Sequence, residues 1–334
     1  MIIKTKELKP CGIIGTGFYV PEVVVTNKDV VKNCPTTNEK FIKERIGVVE
    51  RRICKPEQSL SDMALVAAQR ALDDAQIAPL EIDFIVVAAS MHDYIMPSTA
   101  CTLNDLIGAY NAAAIDIRAA CGGWVYALSI ASHYIQDGTF KNVLLVGAEC
   151  HSKMMNWSDR NTAPFFGDGA GAAILQPSDG TFGIMGSYIG AYGHANDAII
   201  VEAGGSKLPA SEETVKNNLH CIKMDGKRVA DFVSWAFPWS VTKACRDAGI
   251  NVSELDFLIS HQANARLIEK CMKDLHLPMS KTYINIDKYG NTSAASIPIA
   301  YHEAKEKGLI KKGDKVAIVG FGAGFTFGSV VIKV

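Results

Sequence analysis

The chain has 334 residues, 48% of them hydrophobic and 21% charged, which is typical of a globular protein with one large domain or two of ordinary size. Lysine and arginine (34) nearly balance aspartate and glutamate (35), so the overall charge favours neither nucleic acid nor a membrane surface as a partner. No run reaches the ~18 apolar residues of a membrane helix, and the first residues lack the apolar core of a signal peptide. We therefore expect a cytoplasmic protein.

The nine cysteines are scattered along the chain, and no two of them form a C-x-x-C pair. Disulfide frameworks and structural zinc sites both need clustered or regularly spaced sulfurs. We therefore expect reduced, mostly buried thiols and no metal site.

Apolar periodicity and turn residues predict strands that alternate with helices from residue 11 onward. The predicted elements of the first half are a strand at Cys11 to Val20, short helices capped by Asn27 and Asn38, a strand at Val48 to Ile53, a helix opened by Ser59, a strand at Ile82 to Ala89, a helix from Ser98 to Leu106, a strand at Ala112 to Ile117, a helix beginning near Gly122, a strand at Asn142 to Ala148 and a strand that ends at Leu175. Near-continuous apolar strands between helices are typical of a parallel sheet covered on both faces, so the predicted fold class is α/β.

The second half of the chain repeats the first. The segment ALDDAQIAPLEIDFIVV, which begins at Ala71, resembles ACRDAGINVSELDFLIS, which begins at Ala244. At the same offset, the one that separates Ala71 from Ala244, Val146-Gly147 matches Val319-Gly320. A repeat of half the chain is far too long for a solenoid. It predicts two similar α/β halves packed together, residues 1–178 and 179–334.

Cys121 lies where the first half changes from strand to helix. The sequence IDIRAACGGWVYAL places this cysteine on a tight turn whose two glycines leave room for a substrate, with a helix beginning beneath the sulfur. The unpaired N–H groups of a helix N-terminus favour an anion, so we expect the pKa of the thiol to be lowered. A buried structural cysteine is the competing interpretation.

The repeat brings two further polar residues to the same region. A predicted strand at Tyr283 to Ile286 and the turn YGNTS place Asn291 opposite Cys121, and the strand Leu255 to Ser260 ends at His261. Polar residues at the carboxyl ends of core strands are where open α/β sheets bind ligands. A thiolate can accept an acyl group from a thioester, and His and Asn can stabilise an enolate by hydrogen bonding, without a metal. For either residue alone, a structural role is the competing interpretation.

Five segments, in this order and spacing, resemble β-ketoacyl-[acyl-carrier-protein] synthase III of the thiolase superfamily: IDIRAACGGWVYAL, FFGDGAGAAIL, HQANARL, YGNTSAASIP and GFGAGFTFGS. The resemblance implies a thiolase-like fold with two pseudo-twofold-related halves in a layered αβαβα arrangement, assembled as a homodimer. Coenzyme A enters as a thioester substrate, and no cofactor is implied.

The resemblance also implies a role for each residue of the site. Cys121 would take an acyl group from acyl-CoA, with the backbone N–H groups of Cys121 and Ala323 as the oxyanion hole. His261 and Asn291 would then bind the thioester carbonyl of malonyl-acyl carrier protein. Loss of carbon dioxide and attack on the acyl group would give 3-oxoacyl-carrier protein, in the initiation of fatty-acid synthesis.

Other residues match the family's binding positions. Phe41, Arg45 and Arg160 match the contacts to the nucleotide of coenzyme A, with Phe41 in place of the usual tryptophan. Arg266 and Lys273, seven residues apart on one helix face, match the basic surface that docks the acidic carrier protein.

Three departures from the family pattern bear on the acyl group. Met96 stands where a phenylalanine often caps the acyl tunnel from across the dimer, Trp124 follows the cysteine in place of phenylalanine, and Arg118 precedes it. Arg118 could pair with an acidic acyl group or with a structural carboxylate. We expect a preferred acyl group other than acetyl.

Three alternatives stay open at this point. One is a specialised synthase of a secondary pathway with a non-acetyl starter. Another is an acyltransferase that passes the acyl group on Cys121 to an amine or alcohol without condensation. A non-enzymatic scaffold subunit would have lost the nucleophile, so the intact Cys, His and Asn disfavour it.

Overall fold

Two sheets that pack on a central pair of helices form the framework of the computed structural model, which describes residues 9–334. The first eight residues of the predicted N-terminal half lie outside the described residues. The strands are β1 (Cys11–Tyr19), β2 (Val23–Thr26), β3 (Glu50–Ile53), β4 (Phe84–Ala88), β5 (Ala113–Ile117), β6 (Val143–Glu149), β7 (Gly169–Pro177), β8 (Gly183–Ala191), β9 (Ile199–Ile200), β10 (Lys223–Met224), β11 (Phe257–Ser260), β12 (Lys315–Gly322) and β13 (Thr326–Lys333). The helices are α1 (Asn27–Asn33), α2 (Glu39–Phe41), α3 (Leu60–Ala75), α4 (Thr99–Ile107), α5 (Gly123–Gln136), α6 (Glu212–Lys216), α7 (Gly226–Asp247), α8 (Ala265–Asp274), α9 (Ile286–Tyr289) and α10 (Ser296–Glu306).

The layers follow from the apolar faces of these elements. A five-stranded sheet has the order β1-β7-β6-β4-β5, and a four-stranded sheet has the order β11-β12-β13-β8. Helices α5 and α10 contact strands of both sheets and lie between them. Helices α3 and α4 cover the outer face of the first sheet, and α7 and α8 cover the second. Both sheets are therefore buried on both faces, in the predicted αβαβα arrangement.

The repeat seen in the sequence is also present in the structure. Three pairs of elements begin the same number of residues apart as Ala71 and Ala244. They are the 3₁₀ turns Ala120–Gly122 and Ser293–Ala295, the helices α5 and α10, and the strands β4 and β11. The residues that open these turns have left-handed φ values of 46° at Ala120 and 50° at Ser293. At this offset the counterpart of Cys121 is Ala294. The expectation that Asn291 lies opposite Cys121 is therefore wrong by three positions.

The matched glycines of the repeat lie where the two halves pack closely. A Cβ on Gly147 of β6 would lie 2.4 Å from the carbonyl oxygen of Ala294. A Cβ on Gly320 of β12 would lie 2.9 Å from the side chain of Val125. Each half therefore packs its turn, or the helix that follows it, against a central strand of the other half.

The predicted strand at Tyr283 to Ile286 is wrong. Thr282, just before these residues, forms a single bridge to Leu258 of β11, and the chain then enters α9 at Ile286. The side chain of Gln262 replaces the missing strand neighbour, because its Nε2 donates to the Tyr283 carbonyl oxygen (3.3 Å) and its Oε1 accepts from the Asn285 N–H (3.1 Å). A side-chain amide thus satisfies backbone groups that a ladder would otherwise pair.

All nine cysteines are free thiols, and seven are buried, so the expectation that most of them are buried is confirmed. Across residues 9–334, no helix combines the length and the hydropathy needed to cross a membrane. The same residues hold no cluster of three or more His, Cys, Asp or Glu side chains arranged for a metal ion.

Candidate active site

Cys121 sits on the 3₁₀ turn between β5 and α5, and its side chain is buried. The turn is held from the second half of the chain. The Thr326 hydroxyl donates to the Ala119 carbonyl oxygen (2.7 Å), and Gly322 lies so close that a Cβ there would be 2.5 Å from the Cys121 backbone nitrogen. The position of the sulfur therefore depends on the packing of the two halves.

Asn291 is fixed through its backbone and its amide oxygen. Its N–H donates to the Phe165 carbonyl oxygen (2.8 Å), and its own carbonyl oxygen accepts from the Gly167 N–H (3.1 Å). Its Oδ1 accepts from the Ser293 N–H (2.8 Å). The amide Nδ2 is therefore the group that can donate to a ligand.

His261 follows β11 and is buried against the edge of Phe321 (5.1 Å between ring centroids). Its Nδ1 lies 2.7 Å from the Ser296 hydroxyl, which also lies 2.7 Å from the Ser293 carbonyl oxygen. A hydroxyl has one proton to donate. When the Ser296 hydroxyl donates to the Ser293 carbonyl oxygen, it can accept from His261, and the ring proton is on Nδ1. When the hydroxyl donates to Nδ1 instead, the ring proton is on Nε2.

Burial keeps His261 neutral. Burial first, and then the nearby His151, lower the pKa of His261 from 6.5 to about 3. A neutral ring whose Nε2 holds the proton is a hydrogen-bond donor without positive charge, as a polarising imidazole requires.

The thiol of Cys121 is not acidified in the free protein. Burial raises its pKa from 9.0 to about 12, the hydrogen bond from Ser293 opposes this, and the charge of Glu149 adds to it. The expectation of a lowered thiol pKa is therefore wrong for this state, because enclosure outweighs the helix N-terminus. The thiol needs a base before it can attack.

A buried acid lies near Cys121, and the sequence analysis missed it. Glu149 ends β6 and is fully buried. Its Oε1 accepts from the Ser90 N–H (2.8 Å), the Ser90 hydroxyl (2.8 Å) and the Ser293 hydroxyl (2.9 Å). Its Oε2 has no hydrogen bond and lies 3.4 Å from Nε2 of His151. A lone acid at the end of the apolar run VLLVGAE was the signal that could have found it.

One cavity of about 440 Å³ connects these groups. Cys121, His261, Asn291 and Ala323 all line it. Its wall is mainly apolar, with lining residues that include Ile199, Ile200, Val201, Ile222, Met224, Val229 and Phe232. Three exposed cations also line it: Arg45, Arg266 and Lys270. An apolar channel with cationic lining suits a long, thin ligand with an anionic end.

The remaining predicted binding residues lie in three kinds of place. The guanidinium of Arg160 stands 5.7 Å from the centroid of the Phe41 ring, and neither residue lines the cavity. Lys273 is exposed on α8, outside the cavity lining. Met96 is 84% exposed and does not line the cavity of its own chain.

Trp124 does not line this cavity. It is 2% exposed and belongs to the core between the two sheets, where its ring packs against Gly147. Arg118 lines a separate cavity beside β5, together with His92 and Asp116. Neither residue therefore lines the cavity that contains Cys121.

Comparisons with known proteins find relatives over nearly the whole chain. Residues 115–193 match the family model described as 3-oxoacyl-[acyl-carrier-protein (ACP)] synthase III, and residues 245–334 match the model of its C-terminal part. The β-ketoacyl-[acyl-carrier-protein] synthase III of Caldanaerobacter subterraneus is 48% identical over 96% of this chain and 97% of its own. The synthase III of Clostridioides difficile is 46% identical over 96% of this chain and 98% of its own. The crystal structure of 3-oxoacyl-[acyl-carrier-protein] synthase III from Aquifex aeolicus superposes with a TM-score of 0.89 at 37% identity, over 97% of this chain and 100% of that one.

Proposed function

The chain belongs to the β-ketoacyl-[acyl-carrier-protein] synthase III family, and we propose that Cys121, His261 and Asn291 are the residues that carry out its reaction. The enzyme is an acyltransferase that performs the initiating condensation of fatty-acid synthesis. The observation that supports the residue assignment is the meeting of the three side chains in one cavity, around a single thiol.

In the first step, the thiolate of Cys121 attacks the carbonyl carbon of an acyl-CoA thioester. The negative oxygen of the tetrahedral intermediate accepts hydrogen bonds from the backbone N–H groups of Cys121 and Ala323. Gly322 supports this role of the backbone, since its lack of a side chain lets β12 approach the nucleophile turn. Coenzyme A leaves, and the acyl group stays on the sulfur.

In the second step, malonyl-acyl carrier protein enters the emptied channel. Nδ2 of Asn291 and Nε2–H of His261 donate to its thioester carbonyl while carbon dioxide leaves, so the enolate charge meets two fixed donors. The neutral state of His261 fits this role, because the Ser296 hydroxyl can hold the proton on Nε2 by donating to Nδ1. The carbanion then attacks the acyl carbon and releases Cys121.

The lining of the cavity supports coenzyme A as the acyl carrier in the first step. Its apolar wall fits the pantetheine arm, and Arg45 supplies charge for phosphate. Phe41, with Arg160 stacked near its ring, offers a surface for the adenine.

The helix α8 supports docking of the acidic carrier protein. Arg266 lines the cavity and is already oriented by Glu269 (2.6 Å) and by the Glu44 carbonyl oxygen (2.9 Å). Lys273 lies two turns further along the helix and is exposed. Together they would meet acidic groups of the carrier and set the rate of encounter more than the final affinity.

We also propose a cytoplasmic homodimer that forms along β5. This strand is an unpaired edge of the five-stranded sheet, and exposed edges are sites of pairing between chains. Large apolar side chains beside it are exposed: Tyr94, Ile95, Met96, Tyr110 and Ile115. In such a dimer Met96 would reach the partner's acyl tunnel, and its flexibility would suit acyl groups larger than acetyl.

The test is intact-mass analysis of the protein and of Cys121→Ala after incubation with a mixture of acyl-CoAs. We expect an acyl adduct on the protein and none on the variant, and the mass of the adduct gives the acyl group. An adduct that persists in Cys121→Ala would contradict the assignment. Adding malonyl-acyl carrier protein should give a 3-oxoacyl product; transfer to an amine or alcohol instead would favour the acyltransferase alternative.

A further inference from the structure

Ser293 contacts two of the residues assigned to catalysis directly and the third through Ser296. Its hydroxyl lies 3.0 Å from Sγ of Cys121, and its N–H donates to Oδ1 of Asn291. Its carbonyl oxygen lies 2.7 Å from the Ser296 hydroxyl that contacts His261. The residue is buried with a left-handed φ of 50°, a conformation that is uncommon outside glycine and asparagine. Such backbone strain in a site marks a residue that its surroundings hold in place.

The Ser293 hydroxyl joins the thiol to an acid. It lies 3.0 Å from Sγ and 2.9 Å from Oε1 of Glu149. Two donors from Ser90 hold the same carboxylate oxygen, so its position is fixed. The route from sulfur to carboxylate is therefore a continuous hydrogen-bonded path of two short contacts through one hydroxyl.

The acylation step needs such a path, because the thiol is protonated at rest. The titratable groups around the sulfur are Glu149, His151 and His261. His261 is neutral and, in the tautomer that binds a thioester carbonyl, has no lone pair on Nε2 to accept a proton. Among the described residues, the side chain within hydrogen-bond distance of Sγ is that of Ser293. A hydroxyl has one proton to donate, so while it donates to Oε1 of Glu149 its lone pairs can accept from the thiol.

We propose that Ser293 passes the proton of Cys121 to Glu149. The S–H proton moves to Oγ of Ser293 as the O–H proton of Ser293 moves to Oε1 of Glu149, which leaves a thiolate and a neutral carboxylic acid. The thiolate forms the new S–C bond, the S–C bond to coenzyme A breaks, and the departing coenzyme A thiolate takes a proton from water. In the condensation, Cys121 leaves as a thiolate and recovers its proton from Glu149 by the reverse path.

This balance consumes one proton for each turnover, which is the stoichiometry of the whole reaction. One carboxylate of malonate is lost as carbon dioxide, and one thiolate of coenzyme A is protonated. Glu149 therefore stores a proton between the two steps and ends the cycle unchanged. The proposal rests on Cys121 as the nucleophile, and its test uses a reagent that needs neither coenzyme A nor the carrier protein.

The test is the rate at which iodoacetamide alkylates Cys121 at neutral pH, followed by peptide mass spectrometry. We expect Glu149→Gln to react about 10²-fold more slowly than the wild type, since a general base is worth about 10² to 10⁴ in rate. A purely electrostatic role for Glu149 predicts the opposite sign. Removing its negative charge would favour the thiolate, so faster or unchanged alkylation of Glu149→Gln would overturn the proposal.

A second variant, Ser293→Gly, tests the same path with Glu149 left in place. Ser293→Gly suits the left-handed φ and removes the hydroxyl together with its Cβ, so it should also slow alkylation of Cys121. The double variant should be no slower than the slower single one, because both residues act on one path. If Cys121 in Ser293→Gly were alkylated at the wild-type rate, the proposal would be overturned.

Two controls are built into the chain. Cys101 on α4 is exposed and should be alkylated at the same rate in every variant of the same sample. Ser329→Ala removes another buried serine hydroxyl, one with no hydrogen-bond partner, and should leave alkylation of Cys121 unchanged. If alkylation of Cys121 were slowed equally in Ser329→Ala, the cause would be a general loosening of the core, and the specific role of Ser293 would be overturned.

Discussion

Gly322 offers a direct test of how the second half positions the nucleophile. A Cβ at this residue would lie 2.5 Å from the backbone nitrogen of Cys121 and 3.0 Å from its Cα, whereas ordinary contact begins at 3.4 Å. The strand cannot easily retreat, because Gly322 pairs with Thr326, and the Thr326 hydroxyl binds the Ala119 carbonyl oxygen. In Gly322→Ala the turn must therefore move by about 0.9 Å.

A displacement of this size should be costly for catalysis and, because the crowded atoms belong to the backbone, should also lower stability. A shift of ~1 Å in a reacting group costs about 10²-fold in rate. We expect Gly322→Ala to form the acyl adduct on Cys121 about 10²-fold more slowly than the wild type. The assay is single-turnover acylation followed by intact mass, with the melting temperature recorded for each protein.

The matched control is Gly205→Ala, because Gly205 has nothing within 4 Å of the position that a Cβ would take. This variant should acylate like the wild type. If Gly322→Ala acylated as fast as Gly205→Ala, the nucleophile would not depend on close packing by β12, and the reasoning would fail.

Asn291, His261 and Arg266 can each be tested by one substitution. Asn291→Asp keeps the acceptor for the Ser293 N–H and removes the donor, so acylation of Cys121 should persist while condensation falls by about 10² to 10³; equal loss of both steps, measured by adduct and product mass, would contradict this. Burial lowers the pKa of His261 to about 3 from 6.5, so the unfolded chain binds a proton that the folded protein excludes, and stability falls as the pH falls from 6.5 toward 3. His261→Gln should flatten the dependence of urea-unfolding free energy on pH in that window, and an unchanged slope would refute the assignment of that proton. Arg266→Glu should weaken condensation with malonyl-acyl carrier protein without slowing adduct formation on Cys121, whereas Lys305→Glu on α10 should change neither; unchanged condensation in Arg266→Glu would count against docking on α8.

The sequence predicted the framework better than the details of the site. Ser59 and Asp62 form the capping box that opens α3, and Asn38 and Ser98 cap α2 and α4, as local turn chemistry indicates. These signals depend on residues three or four apart. Near-continuous apolar strands and the repeat then predicted the two buried sheets.

The errors came from contacts between distant parts of the chain. The hydrogen bond between Glu149 and Ser293 joins residues 144 positions apart in the sequence, and no local sequence pattern predicts it. The thiol pKa was predicted with the wrong sign because the helix N-terminus is visible in the sequence, whereas enclosure of the sulfur by the other half is not. The predicted strand at Tyr283 to Ile286 was wrong for a similar reason, since the side chain of the distant Gln262 bonds the backbone groups that a neighbouring strand would have paired.

The twofold repeat gives the fold places for two active sites, and the sequence equips one of them. At the offset of the repeat, the paired positions are Cys121 with Ala294, His261 with Ala88, Ser293 with Ala120 and Asn291 with Arg118. The second place has no nucleophile, no imidazole and no hydroxyl at these positions, so it cannot perform the same chemistry. Arg118, the counterpart of Asn291 in the repeat, lines a different cavity beside the edge strand β5. The equipped site draws on both halves, with Cys121 from the first and His261 and Asn291 from the second, so neither half holds a complete site.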